Sequence, residues 1–171
     1  PFEATDLDFS VEKNIKNIAD SLNKDITDIT ACLLDRPRHN QIIDELKKLN
    51  VKIKLITDGD VSGALMVTDE KYDVDIFLGI GGGPEGVLAA AALSCLGGQI
   101  QTRLVLDEND IKRAKTFGIK DISKKYNIED MIKGDVIFSA TAITNGDLGD
   151  GVKDLGDKYE VSTFALHKNL K

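Results

Sequence analysis

Three polar segments hold most of the chemistry open to this chain: Asp35-Arg36-Pro37-Arg38-His39, Asp58-Gly59-Asp60, and Gly79-Ile80-Gly81-Gly82-Gly83-Pro84-Glu85-Gly86. Arg36 and Arg38 flank a proline, so two guanidinium forks sit on a stiff turn, a donor set matched to phosphate oxygens. Asp58 and Asp60 can accept from sugar hydroxyls or lie close to a metal ion. The glycine run offers open backbone, and Glu85 stands where a helix dipole would hold a carboxylate near a divalent cation. Each segment also has a structural reading. Asp35 can cap a following helix over an exposed turn, and Asp-Gly-Asp is a common turn with an N-cap.

Gly81, Gly83 and Gly86 also fit the G-x-G-x-x-G spacing of dinucleotide sites, and Asp107 lies 21 residues beyond Gly86, where a ribose-binding acid is sought. Pro84-Glu85, however, sets a negative charge where pyrophosphate would approach the helix N-terminus. His39 adjoins the arginine pair and suits an orienting or capping role, while His167 reads as structural or exposed. Neither has metal-ligand spacing with Cys or another His. Neither a Gly-x-Ser-x-Gly elbow nor a Walker A sequence occurs.

Alternating strands and helices are expected to position these segments. Apolar residues at spacings of three and four predict a helix over Val11–Leu22 capped by Ser10, and the pattern predicts another over Asn40–Leu49. Short helices are expected over Val61–Met66 and Glu108–Phe117. Strands are expected over Thr30–Leu34, Val51–Ile56, Val74–Ile80, Ile100–Leu106, Asp135–Thr141 and Glu160–Leu166. Pro84 opens a helix whose body, Val87–Leu96, is almost wholly apolar and is expected to be buried, with Gly97-Gly98 past its end. The result is an α/β fold, a layered parallel or mixed sheet with flanking helices, over residues 1–171 as a single domain. Ligands of such sheets bind at the carboxyl ends of the strands. If the strands are parallel neighbours, the three segments share one rim, and a fourth, Thr144–Asp147, would join them.

With 42% apolar and 30% charged residues, the 171-residue chain can bury a core without disulfides or a structural metal. Its few aromatics leave that core to Ile, Leu, Val and Ala. The net charge of −7 gives no basic surface for nucleic acid, but local cations or a metal can still attract a sugar phosphate. Cys32 and Cys95 are isolated in apolar stretches and read as reduced, buried thiols, which suits a cytoplasmic protein. No apolar run approaches the ~20 residues of a membrane span, and no signal peptide is visible.

Taken together, Leu34–His39, Asp58-Gly59-Asp60-Val61 and Gly79–Val87 resemble the class II fructose-1,6-bisphosphatases. Glu12–Ile15, Gln101–Leu104, Ile137–Thr141 and Thr144–Asp147 look like that family too, in the same order along nearly the whole chain. The resemblance implies the C-terminal part of the lithium-sensitive sugar phosphatase fold. It also implies a reaction, hydrolysis of the 1-phosphate of fructose 1,6-bisphosphate to fructose 6-phosphate, with Mn²⁺ or Mg²⁺ as Lewis acid. Arg36, Pro37 and Arg38 would then line the substrate, Asp58, Gly59 and Asp60 would hold its hydroxyls, Gly82 would offer backbone, and Glu85 would bind the metal.

One departure stands against this match. The family's remaining metal ligands and water-activating threonine belong to an N-terminal half, around an Asp-Pro-hydrophobic-Asp-Gly-Thr motif that does not occur here. The chain is therefore expected to be a fragment with no catalytic residue of its own, inactive without that half and prone to form homo-oligomers through uncovered apolar surface. A non-catalytic sugar-phosphate-binding domain and a Rossmann-type nucleotide binder are the alternatives. Activity on sedoheptulose 1,7-bisphosphate, as in some relatives, is left open.

Overall fold

A computed structural model describes residues 4–169. Strand β1 (Thr30–Leu34) is buried along its whole length and forms the centre of a three-stranded sheet. It pairs in parallel with β2 (Lys52–Ile56), Leu34 facing Ile56, and with β3 (Ile76–Phe77), Cys32 facing Phe77. A five-residue run of Thr, Ala, Cys, Leu and Leu has no polar face to show to water, which suits a strand covered on both sides.

The two faces of β1 alternate with a period of two, and each packs its own layer. Ala31 and Leu33 meet Ile15, Ile18, Ile43 and Leu46 from helices α1 (Val11–Leu22) and α2 (Asn40–Lys48). Cys32 and Leu34 meet Ile56 and Met66 on the side of α3 (Asp60–Met66). This split follows from the winding. The chain steps from β1 out to β2 through α2 and returns past β1 to β3 through α3, so crossovers of one hand place the two helices on opposite faces. Helix α4 (Gly83–Leu96) packs on α3, Leu65 meeting Ala92 and Leu93.

Beyond α4 lies an antiparallel ladder of β6 (Val136–Thr141) and β9 (Thr163–Lys168), whose Phe138 and Phe164 rings stand 5.8 Å apart. The other elements are β4 (Thr102–Arg103) paired with β5 (Lys125–Tyr126), α5 (Glu108–Thr116), α6 (Ile128–Met131), and β7 (Lys153–Asp154) paired with β8 (Tyr159–Glu160). The fold is α/β, as expected, with one parallel sheet and separate antiparallel ladders. As foreseen, Ser10 caps α1, its hydroxyl accepting from the Lys13 N–H at 3.1 Å.

Several expectations need correction. The apolar helix α4 is buried on one side only, because α3 and the β6–β9 ladder cover just part of its circumference; Val87, Leu88 and Leu96 are exposed. Cys32 is fully buried, and burial pushes its thiol up to about 11, but Cys95 is only half-buried. The strand expected over Val74–Ile80 is cut to Ile76–Phe77, although the Leu78 N–H still donates to Cys32 O at 3.0 Å. After Leu78 the backbone turns to side-chain partners, described below. The strand expected over Ile100–Leu106 is reduced to Thr102–Arg103, since its partner offers only two residues. The final strand starts at Thr163 instead of Glu160, after a break that lets Ser162 O accept from the Ala142 N–H.

The N-terminal segment is tied down by charge. Lys125 donates to Asp6 at 2.7 Å and to Asp8 at 2.8 Å, and Arg103 also pairs with Asp8. Lys125 and then Arg103 hold the Asp8 carboxyl down at about 2, and Lys125 lowers that of Asp6. A depressed carboxyl stabilises the fold at all pH values above its ordinary range, and that contribution disappears as pH falls through the folded value. The Leu7 amide, which donates to Gln101 Oε1, is therefore expected to keep its protection relative to intrinsic exchange down to about pH 4 and to lose it toward pH 2; protection first lost near neutral pH contradicts this tie.

Gly63 lets α3 approach the sheet. A Cβ there would lie 2.5 Å from the Phe77 ring and 2.8 Å from Ile56 Cδ1. Gly63→Ala is expected to cost about 1–3 kcal/mol, read as a lower urea midpoint at unchanged slope.

Candidate functional site

Because β2, β1 and β3 run the same way, the segments after Ile56, Leu34 and Phe77 emerge at one rim. The connection after β1 leaves toward the α2 face, and the one after β3 leaves toward the α3–α4 face. Neighbouring strands whose connections part in this way open a crevice, the topological switch point at which open α/β sheets take ligands. The rim thus brings together Arg36, Pro37, Arg38, Asp58, Gly59, Asp60, Gly82 and Glu85. Thr144–Asp147 stands apart. It follows β6, which belongs to another ladder, and Asp147 instead accepts from the Tyr72 hydroxyl at 2.6 Å and lies 4.0 Å from Lys54.

The arginine segment starts as extended backbone at Arg36 and then tightens into a 3-10 turn over Pro37–His39 that runs into α2. Asp35 does not cap this helix, which has no side-chain cap; the Asp35 N–H donates to Ile56 O at 2.8 Å, continuing the sheet by one step. Arg36 donates from Nη1 to Asp35 O at 2.9 Å, and Arg38 donates from Nε to Ile80 O at 2.5 Å. Using Nε in this way leaves the two terminal nitrogens of Arg38 for a ligand. Among the described residues, neither guanidinium is ion-paired with a carboxylate. Two unneutralised cations on one short turn suit a phosphate group.

The Asp-Gly-Asp segment forms the N-terminus of α3. Gly59 stands at φ +91°, a left-handed conformation that favours glycine, and Asp58 accepts from the Gly59 N–H at 2.9 Å. Asp60 reaches across to the glycine segment, where a Cβ on Gly81 would collide with its Oδ2. At the start of α4, a Cβ on Gly82 would likewise collide with Oε2 of Glu85, which folds back from the first turn of the helix. Two exposed or half-exposed carboxylates therefore lie over consecutive glycines. Their charge stands where the pyrophosphate of a dinucleotide would approach, so the G-x-G-x-x-G spacing here does not form a dinucleotide site.

Carboxylate oxygens are the donor type that Mg²⁺ and Mn²⁺ prefer, but such ions need about six ligands. Among the described residues, no three His, Cys, Asp or Glu side chains converge closely enough to hold one. The chain's residues fit such an ion in kind and not in number.

A family model described as bacterial fructose-1,6-bisphosphatase, glpX-encoded, matches residues 2–171. The chain belongs to this family. It is 38% identical over 174 residues to a D-fructose 1,6-bisphosphatase class 2/sedoheptulose 1,7-bisphosphatase of a Synechococcus strain, covering 94% of this chain and 50% of that protein. It is 36% identical over 176 residues to the fructose-1,6-bisphosphatase class 2 of Haemophilus influenzae, covering 94% of this chain and 53% of that one. A Synechocystis protein named like the first is 36% identical over 162 residues, 86% of this chain and 47% of its own length. The chain spans about half the length of the curated relatives it matches.

Two residues at the rim carry more than the sequence reading allowed them. Gly81, like Gly82, leaves room for a carboxylate, since Asp60 Oδ2 occupies the space a Cβ there would take. His39 is fully buried beneath the rim. Its spacing of four and seven from the buried Ile43 and Leu46 was the available signal, since it puts His39, at the residue before α2, in line with the inward face of that helix. Gly82→Ala is expected to change stability by no more than about 0.5 kcal/mol, because the colliding group is the tip of an exposed, flexible side chain. It should nevertheless displace the Glu85 carboxylate, read as a shift of its side-chain carbon resonance; an unmoved resonance contradicts the described seat.

Proposed function

We propose that this chain supplies the substrate-gripping part of a metal-dependent sugar-bisphosphate phosphatase, one that hydrolyses the 1-phosphate of fructose 1,6-bisphosphate to fructose 6-phosphate and phosphate. The observation that carries this reading is the meeting of three segments at one switch-point rim, with two unpaired guanidinium groups beside a carboxylate-edged glycine loop. Family membership agrees with it. In this reading Arg36 and Arg38 take phosphate oxygens and Pro37 stiffens the turn between them. Asp58 and Asp60 accept from sugar hydroxyls around Gly59, and Gly82 offers backbone to the substrate. Binding and orientation are the whole contribution of these side chains, since no residue at the rim is assigned to activate water.

Glu85 is proposed as one ligand of a divalent cation, Mn²⁺ or Mg²⁺, which would act as Lewis acid on the phosphoryl group. The remaining ligands are proposed to come from polypeptide matching the other half of the relatives' length. Within the C-terminal part of a lithium-sensitive sugar phosphatase fold, that polypeptide would cover the exposed apolar side chains of Leu88, Ile137 and Ile143, which are 52%, 78% and 72% accessible here. Without it, the same surface would drive self-association of the chain into homo-oligomers. Two cysteines without a disulfide suit a cytoplasmic setting, and among the described residues no helix is long and apolar enough to cross a membrane. The relatives named for both bisphosphates extend the proposal to sedoheptulose 1,7-bisphosphate, which shares the phosphate and hydroxyl groups this rim would read.

Calorimetric titration of the 171-residue chain with fructose 1,6-bisphosphate is expected to show binding without turnover in Mn²⁺. Arg36→Ala and Arg38→Ala should each weaken binding by about tenfold or more, the worth of a charge-assisted hydrogen bond. Robust phosphate release by the chain alone would overturn the division of labour proposed here, and unaltered affinity in both variants would remove the arginines from the site.

A further inference from the structure

Beneath the rim, consecutive residues hold the backbone N–H and the backbone C=O of one residue, Ile80. His39 is fully buried and touches two backbones. Its Nδ1 lies 2.8 Å from Leu34 O, the last carbonyl of β1, and its Nε2 lies 2.9 Å from the Ile80 N in the glycine loop. Arg38 Nε donates to the carbonyl oxygen of the same Ile80. A carbonyl only accepts, so Nδ1 must carry the proton; an amide N–H only donates, so Nε2 must be bare. In this tautomer the 3.2 Å approach of Nε2 to Ile80 O is a contact without a hydrogen bond, and Arg38 satisfies that oxygen instead.

We propose that His39, held as the neutral Nδ1–H tautomer, is the positioning residue that locks the Gly79–Gly83 loop to the arginine segment. Without this strut, the exposed Arg38 contact is the only hydrogen bond between the two segments among the described residues. With it, Leu34, His39, Ile80 and Arg38 form one chain of hydrogen bonds from the sheet to the guanidinium. The terminal nitrogens of Arg38 and the Gly81–Gly82 backbone, with the carboxylates that lie over it, then keep a fixed separation before any ligand arrives, and preorganisation of this kind lowers the ordering cost of binding. The strut is a feature of the fold; its consequence for ligand affinity rests on the sugar-phosphate reading above.

Nitrogen NMR of the imidazole in the full chain tests the tautomer with no substitution at all. One protonated Nδ1 and one bare Nε2 are expected, and a proton on Nε2 overturns the proposal. Two variants then separate a strut from a space-filling side chain. His39→Asn can keep a donor near the Nδ1 position but has no acceptor at Nε2. His39→Gln can place its carboxamide oxygen where Nε2 accepts.

Ile80 amide exchange is expected to be about tenfold faster in His39→Asn, the cost of one buried hydrogen bond, and to stay near its original rate in His39→Gln. Fructose 1,6-bisphosphate affinity should fall in the same order. Equal effects of both variants, or an unaffected Ile80, refute the strut. A chain that shows the expected tautomer and exchange yet binds no sugar phosphate keeps the strut and rejects the functional reading instead.

Discussion

Strand β1 is the constraint on which the rest of the molecule depends. All five of its residues are buried, both of its edges are paired, and both of its faces are covered by helices. Parallel pairing on both edges makes every connection out of the sheet return to the opposite end before the next strand begins. The loops that follow the strands therefore gather at one rim, and the opposite winding of α2 and α3 splits that rim into a crevice. A strand that ran antiparallel to β1 would send its polar loop to the other end of the sheet.

The rim holds like and unlike charges close together without pairing them. Elsewhere on the surface lysines and carboxylates neutralise each other readily, as with Lys125 between Asp6 and Asp8 or Lys153 between Asp150 and Glu160. Arg36 and Arg38 instead spend one nitrogen each on backbone carbonyls, which orients the guanidinium without cancelling its charge. Asp60 and Glu85 rest over glycines, where missing side chains leave room for them. Oriented, uncancelled charge is what a site that recognises an anion with polar hydroxyls requires, and the surface salt bridges are worth little by comparison.

Much of this was legible in the residues. The Ser10 cap, the buried strand at Thr30–Leu34 and the helices over Val11–Leu22 and Asn40–Lys48 follow from spacing and local chemistry. The helix over Val87–Leu96 misled, because an apolar sequence states what could be buried and not what is available to bury it; α3 and one ladder cover only part of its surface. The third strand was overextended for a related reason. Leu78 to Ile80 have strand-like composition, but past Leu78 the backbone groups of Ile80 are claimed by His39 and Arg38 rather than by a neighbouring strand.

The amino-acid sequence by itself determined the residue types at the rim and their attachment to the ends of buried strands, because strand burial and loop polarity are properties of short stretches. Family membership was legible there too, in several motifs kept in order. Only the tertiary structure decided which segments share the rim, that Thr144–Asp147 does not, and that a buried imidazole joins two of them. Those outcomes depend on strand order and on the Arg38 and His39 side chains meeting the backbone of Ile80, more than forty residues away in sequence, and no local pattern encodes such a meeting.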